Sequence, residues 1–299
     1  MRRTELVAIM RGAGPPDGHA GCGVIRFGEH AAVLRPAPIL RATGRRAALQ
    51  AAAEHARLLE GLMAYGTVLP ALAGQRLRAS EVPRLIAANL PTLARLDDRL
   101  SGRAQYQVSV TWQADRALAR FGTPQGCASA TSLAALASDL RERIGAQLVA
   151  AAAESLALPV ADGLIANHAV LIESTAEAAL DAAVERIDAI WSEGFTVRMI
   201  GPYPAVSFVS LMFERVDAPA IRAARVAFGL APGFSAGALR QARRSAMLDA
   251  PPGARDRVVW QSEALACAAR LGALDCPVHV AHIWSEGMTA PSDGEARAA

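Results

Sequence analysis

The chain has 299 residues, 52% of them hydrophobic, and a formal net charge of +3. That composition supports packed cores and about two domains, and it excludes a disordered chain. Every one of the 31 Lys+Arg charges is an arginine, so pyridoxal enzymes, Walker-type NTPases and protein kinases, each of which needs a lysine, are excluded.

In chain order, "ELVAIM" from Glu5 reads as a strand, and "GCGVIRFGEHAAVLRP" as two more joined through Gly28. From Arg45 to Met63 the residues Leu49, Ala52, Ala53, Ala56, Leu59 and Met63 recur at three- and four-residue spacing, which predicts one face of a helix. His55, beside Glu54, falls on a solvated face of it. "TVLPAL" is a short extended piece, and Ser80 is the expected cap of a second helix with Val82, Leu85, Ile86, Leu90 and Leu93 on one side. Asp97 and Asp98 read as a solvated helix end, and a first domain closes at residue 102.

"AQYQVSVTWQ" alternates, with Tyr106, Val108, Val110 and Trp112 facing one way and Gln105, Gln107, Ser109 and Thr111 the other. A long helix from about Ser129 to Leu156 carries Leu133, Leu136, Leu140, Ile144, Leu148 and Ala151 as a stripe. "GLIANHAVLIE" is a strand in which His168 is a core or sheet-face residue. Ser174 and Glu177 form an expected capping box for a helix with Leu180, Val184, Ile187 and Trp191 inward, stopped by Gly194. "FTVRMI", a Pro-Tyr-Pro corner and "AVSFVSLMF" complete a second domain, 103–216. A helical extension follows over 217–287, ending in the strand "VHVAHIW", with a disordered tail expected at 288–299.

Cys22, Cys127, Cys267 and Cys276 form no CxxC pair and the first residues make no signal peptide, so free thiols in a cytoplasm are expected. The uncharged run from Met199 to Phe213 is shorter than the roughly 20 residues needed to cross a bilayer. The arginines at 45 and 46, and at 240, 243 and 244, lie among 28 acidic residues without interleaved aromatics, so they read as solvated faces rather than a nucleic-acid surface. "GFSAG" matches the G-x-S-x-G nucleophile motif at Ser235, with His279 and His282 as candidate bases, but what precedes it is helix-like rather than a strand. A serine hydrolase is therefore the alternative reading and a Ser235 helix cap the favoured one. Cys276, His279 and His282 do not converge in a strand, so no metal and no cofactor are expected.

Three stretches in order, "EHARLLEGLMAYGTVLPAL", "LARLDDRLSGRAQYQVSVTW" and "VRMIGPYPAVSFV", resemble the gas vesicle protein F/L family. The last is similar to a family signature "GPxPPYSFV", with Gly201, Pro202, Pro204, Ser207, Phe208 and Val209 in register and Ala205 and Val206 departing. Where the family has "MRFG", this chain has Ala71, Leu72, Ala73 and Gly74, so the family arginine is missing. The resemblance implies an α+β protein of two α/β sandwich domains, the second ferredoxin-like, with the helical extension added. It implies a non-enzymatic assembly factor, cytoplasmic and associated with gas vesicles. The implied partners are the major shell protein and other accessory proteins, with no nucleic acid, lipid membrane or small-molecule substrate. Candidate partner-binding residues are Gly201, Pro202, Tyr203, Pro204, Ser207 and Phe208, and the face of the strand from Gln105 to Gln113 is a second candidate surface.

Overall fold

A computed structural model describes residues 4–37, 44–121 and 130–286. The chain divides into two compact units, the first made of Met1–Arg99 with Leu211–Ile283 and the second of Leu100–Ser210 with Trp284–Ala299.

In the first unit the strands β1 (Thr4–Arg11), β2 (Gly23–Phe27), β3 (His30–Pro36) and β4 (Val68–Pro70) lie in the order β2-β3-β1-β4, and β5 (Arg76–Leu77) also pairs with β1. Leu6 through Met10 and Ala31 through Leu34 are buried without alternation, as central strands covered on both faces are. The β2–β3 hairpin turns at Gly28, as expected from the sequence, in a left-handed conformation with φ +58°. The helices are α1 (Arg45–Leu62) and α2 (Val82–Leu100).

Between β4 and β5, residues 71–75 loop out opposite Leu6 and Val7, whose backbone groups they still satisfy: Ala71 N–H donates to Val7 and Leu6 N–H to Gln75, both at 2.9 Å. Glu5, 1% exposed, holds this loop. Its carboxylate accepts two 2.9 Å hydrogen bonds from Arg35, its cross-strand partner, and one of 2.8 Å from Gly74 N–H. Burial works against the charged form of Glu5, but Arg35 and Gly74 outweigh it and hold the carboxyl below its usual range.

Three expectations are corrected here. His55 is buried rather than solvated, because its Nε2 donates to the Ala71 carbonyl at 3.1 Å, and burial lowers its pKa. Asp97 is also buried, 2.8 Å from His30 Nε2, while Asp98 stays at the surface near Arg11. Nor does Ser80 cap α2. The N–H of Arg78 is accepted by Glu81 at 2.9 Å, one short turn ahead of the helix.

The second unit contains β6 (Arg103–Trp112), α3 (Ala114–Phe121), α4 (Ala130–Ala151), β7 (Glu154–Ala157), β8 (Leu164–Glu173), α5 (Glu177–Asp188) and β9 (Phe195–Tyr203). Its sheet runs β7-β8-β6-β9 and every neighbouring pair is antiparallel, which, with α3 as an addition, is the ferredoxin-like β-α-β-β-α-β order. Val108 and Val110, and Leu140, Ile144 and Leu148 of α4, are fully buried, as their periodicity predicts. The helix expected to run to Leu156 stops at Ala151, because Glu154 to Ala157 pair with β8 as a strand. The capping box is corrected: Ser174 donates to Gly102 O and Glu177 accepts the Tyr106 hydroxyl, so neither caps α5. The helix ends at Asp188, and Gly194 instead makes room for the Trp191 ring, which a Cβ there would strike.

Past residue 210 lie β10 (Ser210–Val216), α6 (Ala218–Ala227), α7 (Ala236–Asp249), α8 (Arg255–Arg270) and β11 (Val278–Trp284). The strand expected over 205–213 in the second domain runs instead over 210–216 after a turn; it pairs with β11, and from Leu211 onward it groups with the first unit. The reason is hydrogen bonding: Leu72 N–H donates to Leu211 O at 2.8 Å, and the Gln75 side chain donates to Phe213 O and accepts from Phe213 N–H, both at 3.0 Å. Ala88 of α2 packs in one buried cluster with Ile221, Leu239, Leu265, Val278 and Val280. Beside it Asn89 donates to His279 O at 2.8 Å and accepts from Ala281 N–H at 2.9 Å. Cys22, Cys267 and Cys276 are free thiols; Cys127, the expected helix start at Ser129 and the tail at 288–299 lie outside the described residues.

Replacing buried Asn89 by alanine leaves a part-buried carbonyl and a part-buried N–H without this partner, so Asn89→Ala is expected to lower the unfolding free energy by about 1–3 kcal/mol in urea. A loss under about 0.5 kcal/mol, the range of an ordinary surface substitution, contradicts the clamp. Glu5 titrates below its unfolded value, so its stabilisation is present above the unfolded pKa of about 4.5 and fades as pH falls through the folded one. The stability gap between the native chain and Glu5→Gln should therefore narrow between neutral pH and about pH 3.

Candidate partner-binding site

Strand β9 is an edge: it pairs with β6 and with no other strand among the described residues. Its register against β6 slips at the far end, where Gln105 faces Tyr203 but Gln107 faces Ile200. Gly201 and Pro202 thus stand together opposite Tyr106, which makes a β-bulge. Proline suits an edge bulge because it has no N–H to leave unsatisfied. The Gly201-Pro202 peptide is cis, and Gly201 has φ +150°. A Cβ on Gly201 would lie 2.7 Å from the Tyr106 ring and 2.9 Å from Gln105 O, so no larger residue fits. Tyr106 is held in turn by its hydroxyl, which donates to Glu177. Burial and the Glu177 carboxylate push the phenol up to about 12, keeping it a neutral donor.

After the bulge the chain turns tightly, with Ala205 O accepting both Phe208 N–H at 3.1 Å and Val209 N–H at 2.9 Å. Buried Gln105 fixes this turn from below: its Oε1 accepts Ser207 N–H and its Nε2 donates to Ser207 Oγ, both at 3.0 Å. Ser210 Oγ donates to Val206 O at 3.1 Å, and Glu286 N–H to Ser207 O at 2.9 Å.

The six candidate residues therefore divide. Gly201 and Pro202 are exposed and Tyr203 is half-buried, while Pro204, Ser207 and Phe208 are buried and form the frame. The sequence pattern did not single out Gln105 and Tyr106 as the residues that shape the corner. The usable signal was a glutamine and a tyrosine at the start of an otherwise regular strand. On the second candidate surface, the polar groups are largely satisfied within the sheet: Gln107 donates to Asn167 Oδ1 at 2.8 Å and Thr111 to Thr196 O at 3.3 Å.

The hydrolase residues do not assemble. Ser235 Oγ accepts Ala238 N–H at 3.1 Å as the N-cap of α7, and the element before it is α6, not a strand. His282 lies 3.1 Å from Glu214, and Asn89 holds the His279 carbonyl. His168 sits 3.3 Å from Ser155 Oγ on the sheet, where burial lowers its pKa. Among the described residues no group of side chains could hold a metal ion, and no helix is long and apolar enough to cross a membrane.

A family model described as gas vesicle synthesis protein GvpL/GvpF matches residues 11–126 and 124–210. The crystal structure of the gas vesicle protein GvpF from Anabaena sp. PCC7120 is similar to this chain with a TM-score of 0.53 at 18% identity, over 68% of this chain and 96% of that one. GvpF from Microcystis aeruginosa is similar with a TM-score of 0.53 at 20% identity, over 68% and 97%. These two likenesses concern the fold. No curated protein matches the sequence. The family match stops at residue 210, so α6, α7, α8 and β11 lie beyond it.

Gly201→Ala is expected to destabilise the fold by about 1–3 kcal/mol through the collision with Tyr106, whereas Tyr203→Ala should cost less, as a half-buried position does. Equal melting shifts for the two would contradict the close-packed bulge. Ser235→Ala should remove a cap and no more, at about 1 kcal/mol.

Proposed function

Because this chain belongs to the gas vesicle synthesis protein GvpL/GvpF family, we propose that it is a non-enzymatic accessory protein of gas vesicle assembly. In this reading it binds the major shell protein and other accessory proteins, and works in the cytoplasm in association with gas vesicles. The observation that carries the reading is the family match, which runs through most of the first sheet and the whole ferredoxin-like sheet.

The contact surface is the free edge of β9 where it ends in Gly201, Pro202 and Tyr203. An edge strand offers backbone donors and acceptors to an extended partner segment, and the bulge limits how far such pairing can run. Pro204, Ser207 and Phe208 contribute by holding that edge in place from within. A small, strongly apolar shell subunit is a fitting partner for an edge flanked by the half-buried Val197, Met199 and Ile200. The reading calls for no cofactor, nucleic acid, lipid or small-molecule substrate. Ser235 acts in it only as a helix cap.

The test is retention of the purified major shell protein on the immobilised chain, together with deletion of the gene and scoring of vesicles by light scattering and microscopy. Retention and loss of vesicles are the expected results. Retention should fall at least about tenfold when Tyr203 and Pro202 are replaced together, as for a central anchor, and stay unchanged in Ser235→Ala. Normal vesicles in the deletion strain, with no shell protein retained, would overturn the proposal.

A further inference from the structure

Among the described residues, helix α1 is covered by the rest of its unit only along its C-terminal half, through His55, Leu59 and Leu62. Of residues 45–54 all but Ala47 are exposed, and Leu49 is 62% exposed. The apolar repeat that predicts a core-facing side is therefore left open over its first three turns.

Arg45, Leu49, Ala52, Ala53, Ala56 and Glu60 recur at the spacing of one helix face and occupy a sector of about 100°, beside the buried one. All six are exposed. Among the described residues neither the Arg45 nor the Glu60 side chain has an ion pair or hydrogen bond. The stripe is thus apolar in the middle, with a large residue toward one end and small ones toward the other, positive at its N-terminal tip and negative at its C-terminal tip.

That arrangement is complementary to itself reversed. We propose that α1 is an isologous contact through which two copies of this chain pair, their helices antiparallel about a twofold axis passing between Ala52 and Ala53. The axis sets Arg45 of each copy opposite Glu60 of the other. It sets Leu49 over Ala56, where a large side chain meets a small one, and the alanines at the centre let the helices approach to about 8 Å. Antiparallel packing also aligns the helix dipoles favourably. A second copy fits better than an unrelated partner because both ends of the stripe, in charge and in size, are matched by one operation. The face is narrow, so the pair falls at the weak end of specific interfaces, below about 1,200 Å².

Sedimentation equilibrium on the full chain tests this. A reversible dimer is expected in the micromolar range, as for small interfaces. Leu49→Glu, Arg45→Glu and Glu60→Arg should each raise its dissociation constant by about tenfold or more. The double variant Arg45→Glu with Glu60→Arg should return to within about threefold of the native value, because the reversed charges meet again across the axis. Within one helix positions 45 and 60 are about 22 Å apart and cannot compensate each other. All of these positions are exposed, so circular dichroism should report unchanged folds. A chain that stays monomeric at about 100 μM, well above the expected range, overturns the proposal. So does a dimer indifferent to Leu49→Glu, or a double variant as weak as the single ones.

Discussion

Backbone N–H and carbonyl groups withdrawn from water must find an acceptor and a donor; at two places in this protein a side-chain carboxamide supplies both, and at a third it serves an N–H and a hydroxyl. Gln75 meets the N–H and carbonyl of Phe213, Asn89 meets the carbonyl of His279 and the N–H of Ala281, and Gln105 meets the N–H and hydroxyl of Ser207. A carboxamide carries a donor and an acceptor side by side, as a peptide does, so it can stand in for one rung of a sheet where no strand is available. Each of these three sites lies where regular pairing stops: at the loop 71–75, at the surface of α2, and at the turn after β9. The stretch beyond residue 210 is anchored to the first unit by two of these side chains, and the candidate corner is shaped by the third.

Acidic side chains play the same part at two further points. Glu5 sits in a central strand as an ion because Arg35 and Gly74 N–H occupy its oxygens. His30 and Asp97 are less complete: one hydrogen bond joins them, while His30 Nδ1 and Asp97 Oδ1 are buried with no partner among the described residues. The loop 71–75 depends on the first group and on His55, so it is held by an acid, an imidazole and an amide at once. A segment of five residues without regular structure is ordered here by specific polar contacts rather than by apolar burial.

Those contacts explain which features were legible in the sequence. Alternation in β6, the Gly28 hairpin and the stripe of Leu140, Ile144 and Leu148 were readable because period and burial agree there. In α1 the period was right and the covered face was not, since periodicity shows that a helix is two-faced without showing which face a neighbour will cover. His55 and Asp97 read as solvated because isolated polar groups on helices usually are. Their burial rests on Ala71 and His30, partners far away in the chain. The same holds for Ser80 and Ser174, whose expected caps were displaced by Glu81 and by the Gly102 carbonyl. For the corner, the motif was legible from the resemblance to the family, while Gln105 and Tyr106, about a hundred residues upstream, were not.

The geometry also accounts for where this chain departs from the family pattern "GPxPPYSFV". The departures fall on Ala205 and Val206, and both act in the turn through their carbonyls. Ala205 O accepts the N–H groups of Phe208 and Val209, and Val206 O accepts the Ser210 hydroxyl. A carbonyl is supplied by any residue, so these hydrogen bonds of the turn do not depend on the side chain at either position, although Ala205 is buried and its volume is still constrained. Gly201 and Ser207 are different in kind: one is required by the approach of the Tyr106 ring, the other by a hydroxyl and an N–H that Gln105 reads together. Two of the positions kept in register, Gly201 and Ser207, are thus read by β6, one through its lack of a side chain and the other through its hydroxyl and N–H, and of the six candidate residues Gly201 and Pro202 are exposed and Tyr203 half-buried.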